Sequence, residues 1–434
     1  MISEPRLLVL AKDDARVGAL TRGLDALGWR TVTARGVDSA AMALSDLPLE
    51  GAVVDGRGFD HTAVQALRDA AKPRSLPVVS LGHGDGIGAD LHMSGVAHPV
   101  QVGLRLEQLM RASVAEEEFV LRRATFAQRG QALEIEPDGR PLRIMAAGGA
   151  DRRFLALSNA MAASGADVVA APTPYTAFDY LHETPFDAVI LWGGADHTPA
   201  LSIASGMKRN TRLFHIPLML YLRQSIEIDL AEIYHRGIAD VASADVPEDE
   251  TARRALALAD SYRRQLGIRR TLESARSSGL TDPATGLFTR ELFAVHLARI
   301  VEAADRRRRP VSVCVLRLSA STEVTRARAG GWLDRAMPQI GSMVSRLVRA
   351  EDTAGRLAAE VFALALPATR APAARIAAER IAAVIGCTAF DGGPDQAPFV
   401  VGFDVGVAEL LPGDNPAGLL ERATADLARL ETAG

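Results

Sequence analysis

The sequence predicts an α/β protein of about three domains, the first two built on parallel sheets. Three observations carry this expectation. The chain has 434 residues, which at roughly 150 residues per domain allows about three. Strand-like apolar runs alternate with helical stretches in the order of βα units. The same alternation begins afresh near residue 140, so that residues 140–268 read as an internal repeat of residues 1–118.

In the first repeat, strands are expected at Arg6 to Ala11, Gly51 to Asp55 and Leu76 to Leu81, with helices at Val17 to Leu27 and Ser39 to Leu47. Ligands and chemistry in parallel sheets gather outside the carboxyl ends of strands. Asp55, in GAVVDGRG, stands at such an end. Residues 119–139 read as a charged connector that closes on the turn-forming EPDGRP. The second repeat runs LRIMAAG, a helix around Phe154 to Ser164, ADVVAA, a helix at Tyr175 to His182, then FDAVILWGG. Trp192 falls there at the position that Asp55 holds in the first repeat. A helix from Thr251 to Leu266 continues through IRRTLESARSS, with Leu266, Ile268, Leu272 and Ala275 on a stripe. That stripe suits either a stalk pairing with a second chain or an ordinary surface helix.

Composition narrows the function classes. Hydrophobic residues make up 48% and charged residues 24%, an ordinary globular balance. With 49 basic against 53 acidic side chains the net charge is -4, so no broad basic field invites nucleic acid and an anionic ligand must be caught locally. The two cysteines, Cys314 and Cys387, read as core hydrophobes of a cytoplasmic protein. No apolar run nears the ~18 residues that span a bilayer, and no signal-peptide core precedes the first strand, so membrane insertion is not expected. His182, His197, His215 and His235 lack metal-ligand spacing, and the arginine run at 306–309 reads as a solvated loop.

The stretch RAEDTAGRLAAEVF, Arg349 to Phe362, carries the most specific signal. It resembles the core hairpin of diguanylate cyclase (GGDEF) domains, R-x-x-D followed after five residues by G-G-[DE]-E-F. Ala358, Ala359, Glu360, Val361 and Phe362 stand in the place of that pentapeptide. Upstream, LTDPATGLFTRELF is similar to the family's D-x-L-T-G-L-x-N-R segment, matching at Asp282, Gly286, Leu287 and Arg290 and departing at Ala284 and Thr289. The two repeats resemble response-regulator receiver domains, with Asp55 at the phosphoacceptor position, Ser80 at the hydroxyl position and His98-Pro99 where the family has Lys-Pro. The order is that of PleD-type response regulators. It implies two flavodoxin-like receiver domains, 1–118 and 140–268, followed by an α+β, nucleotidyl-cyclase-like GGDEF domain at 269–434.

Against that resemblance the catalytic half is rewritten. Alanine does not adopt φ > 0 freely and adds a methyl where the family's glycines approach phosphate. Arg317 and Ser319 occupy the positions of metal-binding aspartates, and an arginine cannot deprotonate to admit Mg²⁺. STEVTRARAGGWLD replaces the guanine-reading segments, and the tail LARLETAG lacks the closing lysine and G-R-N. No catalytic residue and no metal is therefore expected in this domain. The R-x-x-D half is intact as Arg349 and Asp352, the family's product-binding site, and Arg380 matches an arginine that completes it from a neighbouring domain or subunit. An arginine fork grips guanine O6 and N7 or a phosphate, and a carboxylate accepts from guanine N1 and N2 hydrogens.

The resemblance thus implies a homodimeric receptor for cyclic di-GMP that is not an enzyme. It further implies an adaptor in cell-cycle signalling, recruited to the cell pole through partners, which helps deliver a regulator such as CtrA to the ClpXP protease together with RcdA. In the first receiver, Lys12, Asp13 and Asp14 follow the first strand, and none or one of those carboxylates falls where Mg²⁺ would be held against phosphorylated Asp55. Two alternatives stay open: a residual diguanylate cyclase using GTP and Mg²⁺, and a scaffold controlled by phosphorylation of Asp55 that ignores nucleotide.

Overall fold

A computed structural model describes residues 5–82, 87–94, 97–194, 196–210, 212–223, 229–275, 279–394 and 396–431, with the backbone alone for residues 428–431. The chain divides into two compact units, Met1–Ser113 with Pro137–Leu266, and Val114–Glu136 with Gly267–Gly434.

The first sheet of unit 1 is laid down by β1 (Arg6–Leu10), α1 (Asp14–Ala26), β2 (Arg30–Ala34), α2 (Val37–Asp46), β3 (Leu49–Asp55), α3 (His61–Ala71), β4 (Val78–Leu81) and β5 (Leu91–Met93), after which α4 (Pro99–Ala127) departs. All its strands pair in parallel in the order β2-β1-β3-β4-β5. The second sheet follows with β6 (Arg143–Ala147), α5 (Arg152–Ala163), β7 (Asp167–Ala171), α6 (Pro174–Glu183), β8 (Ala188–Gly193), α7 (Thr198–Arg209), β9 (Leu218–Leu222), α8 (Leu230–His235), β10 (Asp240–Ser243) and α9 (Glu248–Ser274). Its order, β10-β9-β8-β6-β7, is the same doubly wound pattern read from the other edge.

Local chemistry explains the boundaries. The central strands β1, β3 and β8 are near-continuous apolar runs because helices cover both faces. Asp13, Asp60, Asp151 and Thr173 each accept from a backbone N–H in the first turn of the helix they precede. These caps start α1 and α5 two or three residues ahead of their apolar stripes.

One buried charge cluster sits within unit 1. The Asp240 carboxylate, fully buried, accepts from Arg254 Nε at 2.9 Å and Gln101 Nε2 at 2.9 Å and lies 3.6 Å from Arg105 Nε. Burial pushes this carboxyl up, but Arg254 and Arg105 prevail and hold it below the usual range.

Unit 2 contains α10 (Arg290–Arg307), β11 (Val311–Leu318), α11 (Thr322–Ala329), α12 (Trp332–Leu347), β12 (Thr353–Ala358), β13 (Val361–Pro367), α13 (Ala371–Gly386), β14 (Phe403–Glu409) and α14 (Pro416–Glu431). Its antiparallel sheet runs β12-β13-β11-β14. Period-two alternation gives it two cores. Val311, Val313, Val315, Ala363 and Ala365 face one core with α10 and α14, while Cys314, Leu316, Phe362, Leu364 and Leu366 face the other with α12 and α13.

Three expectations need correction here. Residues 119–127 of the expected connector are the end of α4, and they are packed into unit 2 through Phe119 and Phe126. The stripe expected to serve either a stalk pairing with a second chain or an ordinary surface helix is used internally: Ile268 is buried against Ala115, Phe119 and Ala350, and Ala275 is buried beside Phe126 and Leu133. Arg309 is no solvated loop residue, since its guanidinium is buried against Glu117 at 2.6 Å. Residues 276–278 of the expected helix and 432–434 of the tail lie outside the described residues.

Replacing Asp240 by Ala would remove the carboxylate that two buried guanidinium groups share, leaving Arg254 to Glu250 at 3.6 Å and Arg105 to the uncharged Gln108 amide at 2.7 Å, and breaking such a cluster costs about 3 to 5 kcal/mol. Chemical denaturation of Asp240→Ala is expected to show a loss of that size.

Candidate functional site

Asp55 ends β3 with its side chain nearly buried. Its Oδ1 accepts from Arg57 N at 3.2 Å, and its Oδ2 lies 3.5 Å from Arg16 Nη1. Neither acid after β1 turns toward it: Asp13 caps α1, and Asp14 is paired with Arg35. Ser80 is buried on β4, its hydroxyl 2.9 Å from His92 Nδ1. In the second sheet the corresponding strand end holds Trp192, stacked on Tyr221 at 4.2 Å and met edge-on by Phe154 at 5.5 Å. That end of the second sheet is filled by aromatic core.

The turn between α12 and β12 is where Arg349 and Asp352 come together. Asp352 N–H donates to Arg349 C=O at 3.2 Å, and Arg349 N–H donates back to Asp352 Oδ2 at 2.9 Å. The three-residue spacing of R-x-x-D is thus a reciprocal turn that fixes the carboxylate through backbone. It leaves the Arg349 side chain exposed, without an ion pair among the described residues. Asp352 itself is 9% exposed, and its Oδ1 is buried with no hydrogen-bond partner. Burial and the neighbouring Glu351 carboxylate push the Asp352 carboxyl up to about 7, against the opposing pull of the Arg349 N–H and of the Arg349 and Arg122 charges. Both residues line a cavity of about 100 Å³ together with Arg122, Arg269, Arg346 and Phe288. Arg380 is exposed on α13 and is not among the residues lining that cavity.

Beneath the turn lies a residue that motif spacing does not reveal. Arg122, in the last turns of α4, is fully buried. Its Nη1 donates to Ala350 C=O at 2.7 Å and its Nη2 to Asp352 C=O at 2.8 Å, while Nε reaches Thr353 Oγ1 at 3.2 Å. Glu118, one helical turn earlier, lies 3.4 Å from Arg122 Nε, accepts from Thr353 Oγ1 at 3.2 Å and contacts the buried His296 ring. Burial pushes the Glu118 carboxyl up, yet His296 and Arg122 leave it below its usual range. The only sequence signal was Glu118 and Arg122 at i,i+4 on a helix whose Phe119 and Phe126 repeat every seven residues.

On the hairpin, the acids are answered by arginines. Glu360 is gripped by Arg328 through two bonds of 2.6 and 2.7 Å, and Arg317 lies 3.2 Å from Asp404, which also accepts from Ser319 Oγ at 2.7 Å. The turn at Ala359–Glu360 forms without a left-handed residue, because only Arg308 and Ala368 among described non-glycine residues have positive φ. Arg356 closes it, donating to Ala359 C=O at 2.7 Å and lying 3.2 Å from Asp282. Among the described residues no cluster of three or more His, Cys, Asp or Glu side chains is placed to hold a metal ion.

Residues 279–434 match the family model for "Diguanylate cyclase, GGDEF domain". The C-terminal part of the chain is a GGDEF domain. Among solved structures, it is similar to the FimX GGDEF domain of Pseudomonas aeruginosa, with 19% identity over 36% of this chain and 95% of that one, at a TM-score of 0.32. It is also similar to the GGDEF domain of Caulobacter crescentus DgcB in complex with c-di-GMP, with 22% identity over 36% and 89% of the two chains and a TM-score of 0.33. Pseudomonas aeruginosa SiaD, solved with its activator SiaC, matches at 24% identity over 47% and 73%, with a TM-score of 0.34. No curated protein matches the chain. No helix among the described residues is long and apolar enough to cross a membrane. Within the GGDEF domain, β12 and β13 form the hairpin, and the Arg349–Asp352 turn immediately precedes it.

The raised Asp352 carboxyl has a measurable sign. Its folded value of about 7 lies above the ordinary 3.8, so between those pH values the folded chain holds a proton that the unfolded chain has lost. Its contribution to stability is present below about pH 4 and declines as pH rises toward 7. Urea denaturation of wild type and Asp352→Asn at pH 4.5 and pH 7.5 should show the difference in their stabilities shifting in favour of the variant at the higher pH.

Proposed function

We propose that this chain is a catalytically inactive receptor for cyclic di-GMP, holding the dinucleotide at Arg349 and Asp352. The observation that carries the proposal is the turn itself. An exposed guanidinium and a buried, half-unpartnered carboxylate stand three residues apart on a rigid backbone loop. A guanine edge complements both, offering N–H donors to the carboxylate and acceptors to the arginine. Arg380, which faces solvent on α13, would complete the site from a second copy of the chain in a homodimer.

Loss of cyclase activity is supported by the arginines on the hairpin face. Arg317 and Arg328 place permanent positive charge beside Asp404 and Glu360, the carboxylates that could otherwise attract a divalent ion. In the first sheet Arg16 stands by Asp55 in the same manner, so control by phosphorylation is the lesser reading. The order of two receiver-like sheets and a GGDEF domain with intact R-x-x-D is similar to that of PopA. On that resemblance the role would be an adaptor at the cell pole, joining RcdA and CtrA to ClpXP. Nucleotide would favour its active state only through differential affinity.

Calorimetric titration of the intact chain with cyclic di-GMP is expected to give a dissociation constant on the order of micromolar, and Arg349→Ala should weaken it at least about tenfold. Because the guanine donors need an ionised acceptor, affinity should fall by about tenfold for each pH unit below 7. Undiminished binding by Arg349→Ala overturns the site.

Incubation with GTP and Mg²⁺ should yield no cyclic di-GMP, and product formation would restore the cyclase alternative. For the adaptor role, purified CtrA should be degraded faster by ClpXP and RcdA when the chain and nucleotide are both present. An unchanged rate removes that role while leaving the receptor standing.

A further inference from the structure

The buried end of α4 does more than fill space under the GGDEF domain. Arg122 is almost wholly buried, and its guanidinium donates to the carbonyls of Ala350 and Asp352 within the R-x-x-D turn. A planar fork on two carbonyls fixes their separation and direction. Thr353 Oγ1 accepts from the same guanidinium and donates to Glu118, so that Glu118, Arg122 and Thr353 form a closed ring tied to α4. Phe126, against Phe288 at 5.5 Å, and Phe119, against Ile268 and Ala350, hold this part of α4 in place.

We infer that Arg122 is the positioning residue of the dinucleotide turn, setting both the backbone shape that presents Arg349 and the charge environment in which Asp352 must ionise to accept a guanine. The inference rests on the proposed receptor reading, but its structural half concerns the turn alone. Arg122 acts through Asp352 and Thr353 and does not itself touch ligand. The groups facing the Asp352 carboxyl are Glu351 and Arg349 on its own loop, Arg122 from α4 and Cys314 from β11, with Arg269, Glu273 and Arg346 around the cavity. Of the cations, Arg122 is the buried one, so its field is the least screened by water.

The test uses the intact chain and two readouts. Asp352 is followed by ¹³C-carboxyl titration without nucleotide, its signal identified by loss in Asp352→Asn, and cyclic di-GMP affinity is followed by calorimetry across pH 6 to 8.5. Arg122→Met together with Glu118→Gln removes the charge and its ion-pair partner, and leaves the buried His296 ring an uncharged amide in place of the Glu118 carboxylate. In that variant the Asp352 midpoint should move up, and the pH dependence of binding should move with it. Arg122→Lys keeps the charge but loses the fork. Its Asp352 midpoint should stay near wild type while affinity falls by about tenfold or more.

A merely structural residue would lower stability in both variants and leave the two midpoints where they are, and that outcome overturns the inference. Wild-type protein that fails to bind cyclic di-GMP removes the receptor reading instead. The carboxyl midpoint then still decides whether Arg122 governs the turn.

Discussion

A guanidinium removed from water must have its charge and its donors answered, and in unit 2 that requirement joins pieces of chain more than two hundred residues apart in sequence. Arg122 is answered by Ala350, Asp352 and Thr353 from far along the chain and by Glu118, 3.4 Å away on its own helix. The turn that carries Arg349 and Asp352 is consequently held from below by two backbone carbonyls. Its own reciprocal bonds then orient the Asp352 carboxylate. Remove the buried charge and the loop keeps its sequence but loses what defines its shape.

The same residue type settles the fate of the acids elsewhere. Asp55, Glu360 and Asp404 each have an arginine beside them: Arg16, Arg328 and Arg317. A guanidinium meets a carboxylate with charge and fork geometry at once and never gives up its proton. Exposed pairs of this kind contribute little to stability, on the order of 1 kcal/mol or less. Their consequence is electrostatic. Positive charge is fixed beside each of these three carboxylates.

Much of the fold was legible because strand and helix periods differ. Two rounds of apolar runs and amphipathic stretches foretold two parallel sheets, and the alternating residues of β11 and β13 fall cleanly on two cores. Helix starts were read late, since a capping Asp13 or Asp151 lies outside the apolar stripe that marks the helix. The second half of α4 was misread for a deeper reason. Arg122 and Arg309 are charged yet buried, and a reading that equates charge with solvent assigns them to a linker or a loop. Only their partners reveal them, and those partners are distant in sequence. Arg349 and Asp352 were singled out by resemblance to the R-x-x-D motif and meet in one turn, whereas Arg380, matched on the same resemblance, is not among the residues lining their cavity.

The two sheets of unit 1 share one strand order and differ in what stands at the carboxyl ends of their strands. In an open parallel sheet the carboxyl ends of the strands meet ligands, and in the second sheet that end is closed by Trp192, Tyr221 and Phe154 packed on one another. At the edge of the same sheet, Asp240 of β10 takes Gln101 and Arg105 from α4 as well as Arg254 from α9. Thus α4 answers a buried carboxylate near its start and a buried turn near its end, through Arg105 in one unit and Arg122 in the other.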